Sequence, residues 1–347
     1  MSSLLFMLIA ASFNVYTSQK EIFSYSRDTL FGYNLKPELS ASYFSINKYN
    51  SADQINSYLD HLAEKHSKLV TKEIIGWSVE NRPITAVKVT NDSSVRKPVI
   101  VIDAGIHARE WIAPAVALHI LYELVENYDK NKNLTDAVEW HIIPLLNPDG
   151  YEFSRTEDRM WRKNRANTSN PFCPGVDLNR NFDLYFGGSG TSLDPCDETY
   201  IGTGPFSEPE TRALRNYAVK LKNVKLYLTF HSYGQYFLYP WGFGDALPKD
   251  WKDLDRLARD AEKALSSVYG THYEVGSSTQ LLGAAAGGSD DWMKARLGVK
   301  YSYTVELPGG GLKGFDLPTQ QIPFVTKETF EAVKLLGFYI SNHERIK

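Results

Sequence analysis

His107 and Glu110 stand three residues apart in IHARE, His231 directly follows the apolar run KLYLTF, and Glu306 directly follows the run KYSYTV. Two imidazoles and one carboxylate are the donors of catalytic zinc sites, in which a fourth position stays open for water or substrate. A second carboxylate beside such a site could take the proton of that water. A His-x-x-Glu pair alone is a common surface arrangement, so its weight depends on position. All four residues lie at or just beyond the ends of apolar, β-branched segments, where a core has no use for ionisable groups.

Those segments are part of an alternating pattern. Ile55, Leu59 and Leu62 fall on one helical face, and EIIGWSVENRPITAVKVT reads as two strands joined by a polar turn at residues 80–83. KPVIVIDAG is continuously apolar, as a buried strand is, and APAVALHILYELVENY returns to helical spacing. EWHIIPLL predicts a strand closed by a turn at residues 147–150. SEPE at 207–210 predicts a capping box with Pro in the first turn of a helix running to Leu221, and the strand NVKLYLTF follows. A helix over 251–268, the strand KYSYTVEL and the helix TKETFEAVKLLGFYISNH complete the series. His119 and His141 fall within a helical and a strand pattern and read as structural. Strand blocks separated by helices predict an α/β fold whose mixed or largely parallel sheet is covered on both faces, with sites where strands end.

The chain has 347 residues, 43% of them hydrophobic, enough for a large core, and no Pro/Ser-rich linker or charge block after residue 45 divides it. It reads as one main domain. With 38 Lys and Arg against 41 Asp and Glu, the net charge of -3 gives no electrostatic basis for nucleic acid or an anionic membrane as a partner. The apolar run from Leu4 to about Phe13 has the form of a secretory signal peptide and is too short to span a bilayer. Sequons begin at Asn91, Asn133 and Asn167, in keeping with a secreted, extracellular protein. In that compartment Cys173 and Cys196 most simply pair with each other; a catalytic thiol is the other reading.

The pieces GIHAREW, NPDGY, RMWRKNR, GVDLNRNF, GTGPFSEPET, FHSYGQYFLYP, GGSDDW and YSYTVELPGGGLKGF stand in an order and spacing that resembles the zinc metallocarboxypeptidases of the pancreatic A and B type, from about Tyr43 to the C-terminus. The resemblance implies a single α/β domain with a mixed, twisted eight-stranded sheet flanked by helices, and one Zn2+ per chain held by His107, Glu110 and His231. It implies a Cys173–Cys196 disulfide. It assigns Glu306 as general base, Arg162 as the positive group facing the developing oxyanion, Asn179 and Arg180 as the contacts of a free C-terminal carboxylate, and Arg109, Tyr233 and Phe315 as further substrate contacts. Planar guanidinium suits that carboxylate because its donors are paired. Arg159, Lys163 and Arg165 read as a solvated basic face. As partners it implies peptides or proteins with free C-termini and proteinaceous carboxypeptidase inhibitors, and as state a monomer.

In the run LLGAAAGGSDDW, the residue after GGS is Asp290. In the family this position lies at the base of the pocket for the C-terminal side chain, so Asp implies preference for Lys and Arg, and Asp291 reads as structural. The family's mobile tyrosine, seven residues earlier, is replaced by Gly283. The segments 1–18, 19–42 and 43–347 accordingly read as signal peptide, short pro-segment and catalytic domain, the second far shorter than the family's inhibitory pro-domain. A secreted, digestive exopeptidase with basic preference is the leading reading. A degenerate binder that captures C-terminal Lys or Arg without turnover, marked by Gly283, and a zinc amidase are the alternatives.

Overall fold

The computed structural model describes residues 44–343, so the readings made for the leader (1–18) and for the pro-segment (19–42) fall outside the described residues. Eight strands form one sheet: β1 (Val70–Trp77), β2 (Pro83–Val89), β3 (Val99–Ala104), β4 (Glu139–Ile143), β5 (Val224–Ser232), β6 (Tyr236–Tyr239), β7 (Glu274–Ser277) and β8 (Tyr301–Leu307). Their order is β1-β2-β4-β3-β5-β8-β6-β7. The central strands β4, β3, β5 and β8 run parallel, while β2 against β4 and β6 against β8 are antiparallel. The mixed eight-stranded α/β fold is the one expected. The short strands β6 and β7, at four residues each, carry too little period-2 signal to be read individually from the chain.

Alternation along the parallel strands divides the core in two. Ile100 and Ile102 of β3 and Leu226 and Leu228 of β5 join one apolar cluster, to which α2 (Ile112–Val125), α6 (Trp251–Tyr269) and α9 (Ile322–His343) contribute among other helices. Val99, Val101 and Tyr227 join the other, with α5 (Pro209–Ala218) and α8 (Ser289–Arg296). The first helix, α1 (Ala52–Lys65), begins with a capping box of Ser51 and Gln54 and packs against β1. The remaining helices are α3 (Tyr128–Ala137), α4 (Pro148–Thr156) and α7 (Ser278–Leu282).

Three local readings change. Residues 147–150 are not a free turn but the start of α4: Asn147 is its N-cap and accepts from the Gly150 N–H. The capping box expected at 207–210 does not form. Glu208 is the N-cap, the Ser207 hydroxyl donates to Glu208 instead, and Glu210 is buried where it accepts from Val79 N and Asn164 Nδ2; α5 ends at Ala218. The basic cluster at residues 159–165 is not a solvated face. Arg159 lies 3.6 Å over Trp111, Arg165 lies 3.6 Å over Phe153, and Lys163 is buried with its ammonium donating to Pro195 O. Aromatic faces and carbonyls, which composition does not reveal, recruit these cations.

Candidate active site

The carboxyl ends of β3, β5 and β8 converge, and each delivers part of one constellation. His107 and Glu110 follow β3 by a short loop, while His231 and Glu306 are register partners across β5 and β8. His107 Nδ1 lies 2.8 Å from Glu110 Oε1 and 3.1 Å from His231 Nδ1, which is itself 3.0 Å from Glu110 Oε2. All three residues are buried. Two imidazole nitrogens that face each other beside a carboxylate repel unless something positive lies between them. The field of the site meets that need. Burial lowers the affinity of His231 for a proton, yet Glu110 outweighs it and pushes His231 up to about 9. A tetrahedral ion with bonds of about 2.1 Å spans donors roughly 3.4 Å apart, close to the separations seen, so the trio fits zinc.

The outer nitrogen of His107, Nε2, lies 3.1 Å from Asp177 Oδ1. A ligating histidine is normally oriented by such a carboxylate. Asp177 also accepts from Arg162 Nη2 at 2.9 Å and Nε at 3.1 Å, which aims the guanidinium so that Nη1 reaches 3.4 Å from His107 Nδ1. Burial would raise the Asp177 carboxyl, but Arg162, Arg180 and His107 hold it well below the usual range. Asp177 lies inside GVDLNRNF, and the sequence reading assigns it no role. An acid three residues before Arg180 was the signal the sequence offered. Burial pushes Glu306 up to about 7, with Glu110 adding to the rise and His231 and Arg162 opposing it.

A cavity of about 270 Å³ connects these groups. His107, Glu110, His231, Arg162 and Glu306 line one end, and Asn179, Arg180, Gly242, Ser278 and Asp290 also line it, with Tyr233 and Phe315 as well. Tyr233 is half exposed and packs edge-on against Phe315 at 5.0 Å. Arg109 is not part of the lining. It stacks 4.5 Å over Phe315 and donates to Glu198 Oε2 and Met160 O.

Asp290 is 6% exposed, in the first turn of α8, and among the described residues no Lys, Arg or His lies within ion-pair distance of it. Asp291 points away and accepts from the Gly242 and Phe243 N–H groups at 2.9 Å, so it anchors the loop that walls the cavity. The small residues before the pair are a wall, not a solvated loop. Ala285 N donates to Gly242 O, Ala286 N to Ser189 O, and Gly287 N to Leu184 O, and a Cβ on Gly287 would meet the Arg180 carbonyl at 2.4 Å. Gly283 ends α7 with φ 85° and ψ 171°, a conformation that only glycine adopts readily.

The zinc carboxypeptidase family model matches residues 55–332. The chain belongs to the zinc carboxypeptidase family. It is 46% identical over 296 residues to a carboxypeptidase B of Astacus astacus, covering 85% of this chain and 97% of the relative. It is also 39% identical over 303 residues to a carboxypeptidase A2 of Mus musculus, covering 86% and 72%. A solved structure of bovine thrombin-activatable fibrinolysis inhibitor in complex with tick carboxypeptidase inhibitor superposes with TM-score 0.81 at 37% identity, covering 86% of this chain and 99% of that one. This zinc carboxypeptidase also carries the expected disulfide, Cys173–Cys196, with S–S 2.02 Å. No helix among the described residues is long and apolar enough to cross a membrane.

Proposed function

We propose that this carboxypeptidase removes C-terminal Lys and Arg from peptides. The observation that carries the reading is Asp290: a carboxylate buried in the same cavity as the His107–Glu110–His231 trio and lacking a cation of its own among the described residues. A buried acid without a partner is costly, and a substrate's ammonium or guanidinium would supply that partner. Relatives of both types match, B at 46% and 40% identity and A2 at 39%, so the preference rests on this residue and not on the comparisons.

His107, Glu110 and His231 would hold one zinc ion, which when bound lowers the pKa of its water and polarises the scissile carbonyl. Arg180 and Asn179 receive the terminal carboxylate of the peptide. Arg180 is aimed by its own bonds, Nε to Gly190 O and Nη1 to Asn179 O, which leave further guanidinium donors for substrate. The Glu306 carboxylate takes the proton of the attacking water and delivers it to the leaving amine. Arg162, fixed by Asp177, faces the oxygen on which negative charge develops. Tyr233 and Phe315, with Arg109 stacked behind Phe315, would contact residues upstream. Secretion is supported by the disulfide and by the exposure of all three sequon asparagines. Carboxypeptidase inhibitors of the kind bound by the bovine relative are candidate partners.

The test is hydrolysis of matched peptides ending in Arg, Lys, Leu or an amidated Arg, with and without a chelator. Chelator-sensitive release of Arg and Lys, with the amide resistant, is the expected outcome. Binding of Arg peptides without release would favour the degenerate-binder reading, and cleavage of the amide would favour an amidase.

A further inference from the structure

Among the described residues no carboxylate bonds the outer nitrogen of His231, unlike that of His107. Its Nε2 lies 3.2 Å from the hydroxyl of Thr229, two residues back on β5 and on the same face of the strand. Thr229 and Asp103 are register partners across β5 and β3, and both are fully buried. The Thr229 hydroxyl lies 2.9 Å from Asp103 Oδ1, and the Tyr227 hydroxyl donates to the other oxygen of the same carboxylate. We infer that Asp103 acts through Thr229 to set the tautomer of His231, making both positioning residues for the metal site.

The argument is a count of hydrogens. A threonine hydroxyl has one proton and two lone pairs. With that proton directed to Asp103, the oxygen facing His231 Nε2 can only accept. Nε2 therefore carries the ring hydrogen, and the lone pair is on Nδ1, the atom that faces His107 Nδ1 and Glu110 Oε2. With the relay reversed, Nδ1 would hold the hydrogen and the metal position would lose one of its three donors. The sheet explains why a relay is used. Asp103 stays within its strand, two register positions short of His231, and Thr229 bridges the gap. Asp103 and Thr229 take no part in the cavity lining, so nothing else in the proposed chemistry accounts for a carboxylate buried there.

This inference rests on the zinc reading of the site, and the experiment separates the two. Zinc affinity of the wild-type chain, Thr229→Val and Thr229→Ser is measured by chelator competition, with the His231 ring followed by long-range 15N–1H correlation. The wild type should bind one zinc and show a hydrogen on Nε2 in slow exchange with water. Thr229→Val should bind zinc about ten- to a hundredfold more weakly and lose the slow exchange, and Thr229→Ser should restore both. If the wild type binds no zinc, the reading of the site fails. If it binds zinc but Thr229→Val binds as tightly with the same ring signal, the relay is overturned. Should Thr229→Val not fold, the zinc-bound wild type still decides, because a His231 ring that carries its hydrogen on Nδ1, or exchanges it rapidly from Nε2, refutes the assignment.

Discussion

Replacing Asp290 by Asn separates charge from shape in the cavity. Asn has nearly the same volume, so the wall formed by residues 284–288 is undisturbed and only the negative charge is lost. At 6% exposure the carboxylate has little water to screen it. With an effective dielectric of about 20, a charge pair at 4 Å is worth about 4 kcal/mol, against about 1 in water. Losing one member of a buried pair costs a similar 3–5 kcal/mol. At about 1.4 kcal/mol per decade, kcat/KM for a peptide ending in Arg should fall by two to three orders of magnitude. For the same peptide ending in Leu it should hold or rise. The free protein should respond in the opposite sense. Burial raises the Asp290 carboxyl above its ordinary value, so its contribution to stability is full below the unfolded pKa of about 4 and is lost as pH rises. Asp290→Asn should therefore unfold at a higher temperature than wild type at neutral pH, and this gain should shrink toward pH 4. Parallel kinetics on the Arg and Leu peptides, with thermal scans at pH 4 and pH 7.5, provide the test. A variant that still prefers Arg by the wild-type margin would show that the selecting acid lies elsewhere.

Glu306→Gln should keep its zinc and its peptide affinity while kcat falls by at least about a hundredfold, because only the proton acceptor is removed; metal analysis beside steady-state kinetics checks it, and near-normal turnover would assign the base to another group. Gly283→Tyr places a side chain where φ is 85°, at a cost of roughly 1–3 kcal/mol. A Cβ there meets only open space, so the chain should fold with a lower unfolding midpoint and gain less than tenfold in KM; a large gain without loss of stability would contradict the strain argument. Burial raises Glu210 from 4.5 to about 7, which at ~1.4 kcal/mol per pH unit makes the wild type lose roughly 3 kcal/mol of stability as pH rises from about 4.5 through 7. Glu210→Gln should flatten that slope in denaturant titrations, and an unchanged slope would trace the pH dependence to other groups.

Residue types and local periodicity determined much of this protein. The longer strands and helices were legible because burial imposes helical spacing on ten or more residues, and alternation or an unbroken apolar run on five to nine. The metal trio and Glu306 were legible because ionisable residues at the ends of apolar strands have no structural reason to be there. The quoted motifs added the roles of Arg162, Asn179, Arg180 and Asp290, which spacing alone could not supply. Tertiary structure decided what depends on partners distant in the chain. Short β6 and β7 exist because β8 offers β6 an antiparallel edge. Residues 147–150 became a helix start because the Ile106 and Lys163 carbonyls hold the Asn147 amide that caps it. Glu210 left its expected place in a capping box because Asn164 and Val79 satisfy it inside the fold. Arg159, Lys163 and Arg165 look solvated by charge, but aromatic rings and carbonyls bury Lys163 and half-bury the two arginines. Asp103 and Thr229 are 126 positions apart, and only the parallel register of β3 and β5 sets one against the other behind His231. A hydrogen bond needs an angle and a distance as well as two residue types, and for pairs so far apart the packed sheet supplies both.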